Sequence, residues 1–537
     1  MATAHPGWRS AILLLLLSAA ILSTGCAVFP QGAYWRPIAG RPSEGAAGKA
    51  VPRTEEPAPP TAAEAAALRA RLQEVISRRW SSEDLARSAR AMSGWAGTSA
   101  YGDAMQTVVS FYVEPITYRR LVVAGLESLR AALESPEFRK RFPEADDAEK
   151  RGRFAEAIDI LILKARAADP WFAFQAADWL TVTMEKNRAI LGLPDGAVVA
   201  EFLFGAMDSL DPYSRYLTPE MLRIYREQMG GAYTGIGAEV AARDKRIFIS
   251  KVFEGGGAAK AGLKTGDEIV AVEGQPVSGL PLSEVSRRLR GRPGTKTAVK
   301  VRTGGEGEPH EVSIERTVIH LPAVREARIV DAERGVGYVR LAEFQDNAEA
   351  ELRRAVDGLA AKGAKALILD LRGNPGGSLL EAVWVAGMFL QGGPVIRTRG
   401  RMLGATWNYD VPLLERQAWR GPLAVLTDED TASASEAVAS ALEARGRATV
   451  IGRRTFGKGA VQILFPANWG QSAVCLTMAR VYDVKDRCLD GPGVTPNREV
   501  APAATPPASL AEDPVVRAAI EALTSAPQGA RQDARQD

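Results

Sequence analysis

Ser433 stands immediately before the run Ala434-Ser-Glu-Ala-Val-Ala-Ser-Ala-Leu442, in which Ala434, Val438, Ala441 and Leu442 recur at helical spacing. A hydroxyl at that point meets the positive end of the helix dipole and the first backbone amides, which can stabilise an oxyanion forming beside it. An ordinary N-cap serine has the same signature, and caps far outnumber nucleophiles. Lys458 shifts that balance, because it lies between Gly457 and Gly459 in an otherwise apolar neighbourhood. A lysine stripped of water has its pKa pulled toward neutrality and can then take the proton that a serine must lose to attack a carbonyl. Gln462, four residues on, can hold the amine through its side-chain oxygen; the plainer alternative is a surface lysine on a glycine hairpin. A third piece, "DLRGNPGG" at 370–377, fixes a turn with free amides between a strand and a helix. Gly376 or Gly377 would supply one N–H of an oxyanion hole and Ala434 the other. Asp370 and Arg372 more simply pair to hold the loop, which taken alone would equally suit a phosphate.

Other chemistries have little to draw on. The only histidines are His5, His310 and His320, too few and too scattered for a Ser-His-Asp triad or a histidine-rich zinc site. No metal and no organic cofactor is expected. A formal charge of +3 over 537 residues, with basic residues matched by acidic ones, leaves no footprint for nucleic acid. At the N-terminus Arg9, the apolar run 11–22 and Ser23-Thr-Gly-Cys26 read as a secretory signal. Gly25-Cys26 also resembles the cleavage box of bacterial lipoproteins, which implies lipidation of Cys26; an ordinary signal or an uncleaved anchor is the alternative. In an oxidising compartment Cys475 and Cys488 can pair, or remain a buried and a half-exposed thiol.

The elements that must position these residues follow from changes of period along the chain. After a signal or lipobox at 1–26, residues 27–60 are rich in Pro, Gly and Ala and read as a flexible spacer. Helical patterns fill 61–230, including a stop at Asp211-Pro212 and a start at Thr218-Pro219-Glu220, where Thr caps and Pro takes the first turn. From 231 to 320 short β-like pieces such as "IFISKVF" and "EIVAVEG" alternate with glycine turns around one helix, Leu282 to Leu289. That order suggests a partly open barrel with a strand edge able to accept a peptide as an added strand. Thr234-Gly-Ile-Gly237 would offer it closely approaching amides, although a lone Gly-x-Gly is also a common tight turn. Residues 321–507 alternate apolar strands with helices, the pattern of parallel crossovers whose strand-end loops carry chemistry. The tail, 508–537, is polar apart from a helix over Asp513 to Leu523.

The stretch "SKVFEGGGAAKAGLKTGDEIVAVEGQPVSGLPLSEVSRRLRG" resembles a PDZ domain nearly throughout its length. "DLRGNPGG", "TASASE" and "GRRTFGKGAVQ", with "GAMDSLDPYSRYLTPE", "GVGYVRLAEF", "CLTMARVYDV" and "DGPGVTPN", resemble in order and spacing the carboxy-terminal processing peptidases, over roughly residues 195–505. The resemblance implies a multidomain α+β protein: a helical N-terminal region, a PDZ-like β-rich domain and an α/β serine-peptidase core with βα crossovers. It implies Ser433 as nucleophile, Lys458 as base, Gln462 as its support, and oxyanion donors from the glycine loop and Ala434. It further implies polypeptide substrates with accessible C-termini, gathered at Thr234, Gly235, Ile236 and Gly237. The chain is therefore expected to be an exported bacterial endopeptidase, periplasmic or tethered to the outer membrane through its N-terminus, and dimeric or served by an envelope adaptor. The rival expectation is a non-catalytic PDZ-containing peptide binder or envelope scaffold. Thr431, Asn497 and "YDVKDRCLDGP" depart from the family's usual pattern near the cleft.

Overall fold

The computed structural model describes residues 62–525, except 169–172, 403, 413–416, 468–471, 504, 506 and 508. The signal, Cys26 and the spacer lie outside the described residues. Eight helices open the described chain: α1 (Ala62–Trp80), α2 (Glu83–Ala91), α3 (Gly94–Phe111), α4 (Tyr118–Ala132), α5 (Pro136–Arg141), α6 (Ala148–Ala167), α7 (Ala173–Ile190) and α8 (Asp195–Asp208). The last has almost no exposed face, being apolar nearly all round, and lies in the middle of the bundle against α4. Asp211 then ends the helical run by accepting from the amides of Tyr213 and Ser214. The chain continues as β1 (Arg215–Leu217) and α9 (Pro219–Met229), whose Thr218 cap and first-turn proline are as the sequence predicts.

The β-rich unit comprises β2 (Ala232–Gly235), β3 (Ala238–Arg243), β4 (Arg246–Val252), α10 (Gly257–Lys260), β5 (Glu268–Val272), β6 (Gln275–Pro276), α11 (Leu282–Leu289), β7 (Lys296–Arg302), β8 (His310–Glu315) and β9 (Thr317–His320). Its main sheet runs β3-β4-β5-β7-β8 and has its own core around Ile247, Ile269, Val285 and Val299. A separate ribbon, β2 with β9, carries the chain in and out.

The remaining elements are β10 (Val324–Asp331), β11 (Val336–Leu341), α12 (Ala348–Ala361), β12 (Ala366–Asp370), α13 (Leu379–Gly387), β13 (Gly393–Gly400), β14 (Trp407–Val411), β15 (Leu423–Thr427), α14 (Ala434–Ala444), β16 (Thr449–Gly452), β17 (Ala460–Ala467), β18 (Ser472–Tyr482), β19 (Arg498–Glu499) and α15 (Pro514–Ser525). Strands β11, β12, β15, β16 and β19 are parallel neighbours, joined by the crossovers that the alternating pattern predicts. Alternate residues serve two cores: Leu367 and Leu369 face α12 to α14, while Ala366 and Ile368 face α15. The tail helix is thus half of a sandwich, seated by Val515, Val516, Ala519 and Ile520 and tied down by Arg372 to Asp513 at 2.8 Å. A second, antiparallel sheet joins β1, β17, β18, β13 and β14. Its Val474 and Leu476 enter the core of the helical bundle, and Phe111 stacks on Phe465 at 5.1 Å, so the bundle is fused to this sheet.

Cys475 and Cys488 are not joined by a disulfide. Cys475 lies in β18, whereas Cys488 faces Tyr482 at the far end of the same strand. Seven extended residues separate those levels by roughly 23 Å, far beyond disulfide reach. No helix among the described residues is long and apolar enough to cross a membrane.

Candidate active site

Two loops at the carboxyl ends of β12 and β15 are stitched together. Thr431 donates its hydroxyl to the Leu371 carbonyl at 3.0 Å, and the Ala432 amide and Ser435 hydroxyl both reach the Asn374 carbonyl, at 2.9 and 3.1 Å. Ser433 sits at the apex with φ 58° and ψ −115°, a backbone conformation that costs a non-glycine residue about 1–3 kcal/mol. It is therefore not an ordinary cap. Ser82, Ser93, Thr117, Ser135, Thr218 and Ser378 cap their helices from extended conformations and accept a first-turn amide. The sharp strand-to-helix turn at 433 instead presents its side chain at the top of the sheet.

The glycine loop lies against that apex. A methyl group on Gly376 would stand 2.7 Å from Ser433 Cβ and 2.9 Å from the Ala434 nitrogen, so only glycine permits the approach. Gly376 N–H is occupied by Asn374 Oδ1 at 2.9 Å, while Asn374 Nδ2 is anchored on the Leu341 carbonyl at 2.9 Å. Of the three expected oxyanion donors, Gly377 and Ala434 have N–H groups that are not taken up within the described backbone, and Gly376 serves the turn. Asp370 and Arg372 pair as expected, with Tyr338 donating to the same carboxylate at 2.7 Å.

Glu436 went unread in the sequence. Fully buried, it accepts from the amides of Ser433 (2.7 Å), Gly457 (2.7 Å) and Lys458 (2.8 Å) and from the Thr455 hydroxyl (2.5 Å). Its Oε2 takes both the Ser433 and the Lys458 amide, which sets the backbones of the two expected dyad residues two hydrogen bonds apart. The spacing Ser433-x-x-Glu436 is a capping-box signature that signals this residue.

Lys458 is partly buried and extends over the ring of Tyr213, its Nζ 5.1 Å from the centroid. It shares no hydrogen bond with the Ser433 hydroxyl. Burial, then the charge of Arg215, hold its pKa below the usual lysine range, against Cys475, Glu436 and Asp211. Gln462 lies in β17 and donates to the Thr477 hydroxyl at 3.1 Å, which in turn donates to Asp211 at 3.0 Å. Asp211 and Tyr213, part of the "LDPYSRY" turn, are thus a further support of the lysine; the Asp-Pro signal showed a helix stop and nothing more.

In the β-rich unit, β3 pairs only with β4, so one edge is open, and α11 lies against that strand. Thr234 and Gly235 belong to the β2–β9 ribbon, where the Thr234 hydroxyl donates to Glu227 at 2.9 Å. The Ile236 and Gly237 carbonyls accept from Ala258 (2.6 Å) and Phe253 (3.0 Å), which turns the loop so that its amides are left over. Ile236 and Gly237 lie outside the strands, and no described backbone carbonyl accepts their N–H groups.

The profile of peptidase family S41 matches residues 335–500, and that of the PDZ domain matches 226–302. A carboxy-terminal-processing protease of Bartonella bacilliformis is 34% identical over 307 residues, covering 56% of this chain and 69% of the relative. A carboxyl-terminal-processing protease of Synechocystis is 31% identical over 358 residues, covering 64% and 81%. A solved photosystem II D1 C-terminal processing protease aligns over 79% of this chain and 97% of its own at 25% identity, with a TM-score of 0.42. On the extent of these sequence matches, the chain belongs to peptidase family S41, as a serine-type peptidase of the carboxy-terminal processing kind with a PDZ domain.

Proposed function

We propose that Ser433 is the nucleophile and Lys458 the general base of an endopeptidase that takes polypeptides partly by their C-termini. The observation that carries this reading is the shared Glu436 oxygen, which fixes the two backbones as neighbours. Catalysis begins with rotation of the Lys458 side chain away from Tyr213, a cation–π contact worth about 2 kcal/mol for a desolvated ammonium and lost once the amine is neutral. Neutral Lys458 takes the hydroxyl proton as Ser433 Oγ bonds to the peptide carbonyl carbon, and the Gly377 and Ala434 amides receive the oxyanion. The proton passes to the leaving amine as the C–N bond breaks. Water then attacks the ester, giving a proton to Lys458, and Ser433 takes it back as the acid departs. Gln462 acts through Thr477 and Asp211 to hold the lysine's surroundings.

The open edge of β3 receives the substrate C-terminus as an added strand, with its carboxylate at the Ile236 and Gly237 amides. The expected signal and Cys26 make this an exported enzyme, tethered at the envelope of a bacterium. The decisive experiment compares the purified protein with Ser433→Ala on an unfolded polypeptide, with and without an apolar C-terminal tail. Cleavage that needs Ser433 and is faster with the tail is expected. Equal cleavage by both proteins would overturn the dyad; tail-independent cleavage would overturn the role given to β3.

A further inference from the structure

Gly377 has a φ of 139°, a conformation that favours glycine, and a glycine has many others within reach. The direction of its N–H must therefore be set by its neighbours. The Gly376 carbonyl and the Gly377 N–H are the two ends of one planar peptide unit and point opposite ways. The Phe344 amide donates to that carbonyl at 2.8 Å, and the Phe344 carbonyl accepts from the Ser378 amide at 2.7 Å. Phe344 thus grips the 376–377 peptide unit by its carbonyl end, and so fixes where its N–H end points.

Phe344 lies beyond the end of β11 and meets Gly377 through an isolated bridge, outside the parallel ladder. Its own place depends on Gln345, which is only 5% exposed. Gln345 Nε2 donates to the Leu321 carbonyl at 2.6 Å, and the same side-chain amide packs against Gly231, where a Cβ would collide with it. Gly231 and Leu321 are the points at which the chain enters and leaves the β2–β9 ribbon, joined to each other by a bond of 2.9 Å from the Leu321 amide to the Gly231 carbonyl. One residue on, the Asp346 amide donates to the Met229 carbonyl at 3.4 Å. A buried carboxamide is costly unless it is bonded, so Gln345 favours the one placement of this segment in which its donor meets Leu321.

We propose that Gln345 is a positioning residue for the oxyanion hole: it locks the Phe344 backbone to both legs of the ribbon, and Phe344 fixes the peptide unit that carries the Gly377 N–H. The inference rests on Ser433 being the nucleophile and Gly377 a donor to its oxyanion.

The test compares the full protein with Gln345→Met, which keeps the length of the side chain and removes its donor, and with Gly231→Ala, which displaces the same amide from the ribbon side. Two readouts are taken: kcat and KM on an unfolded polypeptide, and the rate of labelling by a fluorophosphonate. In labelling, Ser433 Oγ bonds to phosphorus, fluoride leaves, and the P=O oxygen takes the place of the oxyanion, so the rate needs the hole and makes no use of a peptide. Both variants are expected to lose about 5- to 100-fold in kcat and in labelling rate together, short of the 10²–10³-fold cost of a whole oxyanion donor, with KM within about twofold. Circular dichroism establishes that each variant is folded, and Gly231→Ala decides the matter if Gln345→Met is not. An unchanged labelling rate in a folded variant, or a raised KM with kcat intact, would overturn the role given to Gln345 and leave Ser433 standing. A wild type whose labelling survives Ser433→Ala would overturn the nucleophile, and the role of Gln345 with it.

Discussion

Ser378 and Ser433 begin two helices at the ends of adjacent parallel strands, and both are followed three residues later by glutamate, at 381 and 436. The first is a conventional cap: φ −68°, ψ 124°, its hydroxyl accepting the Glu381 amide at 3.4 Å. Its glutamate turns away and accepts the Glu349 amide at 2.9 Å, tying α13 to α12. The second has φ 58° and ψ −115°, and its glutamate gathers the serine amide and three donors of the 455–458 loop. The same local signature thus yields a relaxed end and a strained one. The difference lies in what arrives from elsewhere in the chain: the lysine loop at one end, a neighbouring helix at the other. Strain at a functional serine survives because the surrounding bonds over-determine it.

Activity separates the two ends most sharply. Ser433→Ala is expected to abolish peptide cleavage, and Lys458→Met to lower kcat by about 10²–10⁴-fold, the usual worth of a general base. Ser378→Ala should leave cleavage within a small factor and lower stability by about 1 kcal/mol, the cost of a lost cap, measured by urea unfolding. Loss of cleavage in Ser378→Ala as complete as in Ser433→Ala would erase the distinction. The glutamates give the next largest contrast. Glu436→Ala strands buried donors and should cost about 3 kcal/mol as well as activity, whereas Glu381→Ala removes an acceptor from one described amide and should cost about 1 kcal/mol.

These contrasts also mark where the sequence stops being legible. Ranges set by local pattern came through: α11 runs Leu282–Leu289, and α14 covers the run from Ala434 to Leu442, as the helical period predicts. The glycine loop and its neighbourhood to Ser433 also follow from the sequence, because strand-end loops of a parallel sheet converge. The positive φ at 433 does not, since it is imposed by bonds from Thr431 and Ala432 to a loop sixty residues away. Nor does the place of Lys458, whose neighbours Tyr213 and Arg215 come from the far side of the PDZ domain in sequence. The sequence places the tail helix in a polar segment but not against any partner; its apolar face finds the back of the sheet only in three dimensions.

Backbone strain offers a finer measure. At φ 58° a glycine pays none of the penalty that a Cβ brings, so Ser433→Gly should be more stable than Ser433→Ala by about 1 kcal/mol, although both are inactive. At Ser378, whose φ is negative, glycine relieves no strain and should exceed alanine only by its better capping, by roughly 0.5 kcal/mol, a smaller advantage than at 433. Chemical denaturation of the four variants gives both differences, and a stabilising glycine at 378 as large as that at 433 would remove strain from the account.

The smallest expected effect concerns the proton. The lysine must be neutral to act, and its pKa is already depressed by burial and by Arg215. Arg215 is exposed and its guanidinium lies 5.8 Å from the Tyr225 ring centroid, so Arg215→Gln removes a positive charge with little loss of packing. Without that charge the ammonium is less disfavoured, the pKa rises, and a smaller fraction of Lys458 is neutral at any given pH below it. The ascending limb of kcat/KM against pH should therefore move to higher pH in Arg215→Gln and return in Arg215→Lys, which restores the charge. Because the effect acts through the field and leaves the Ser433 turn untouched, the plateau reached at high pH should match the wild type. A limb that stays fixed, or a plateau that falls with it, would mean that Arg215 shapes the cleft and leaves the lysine's proton alone.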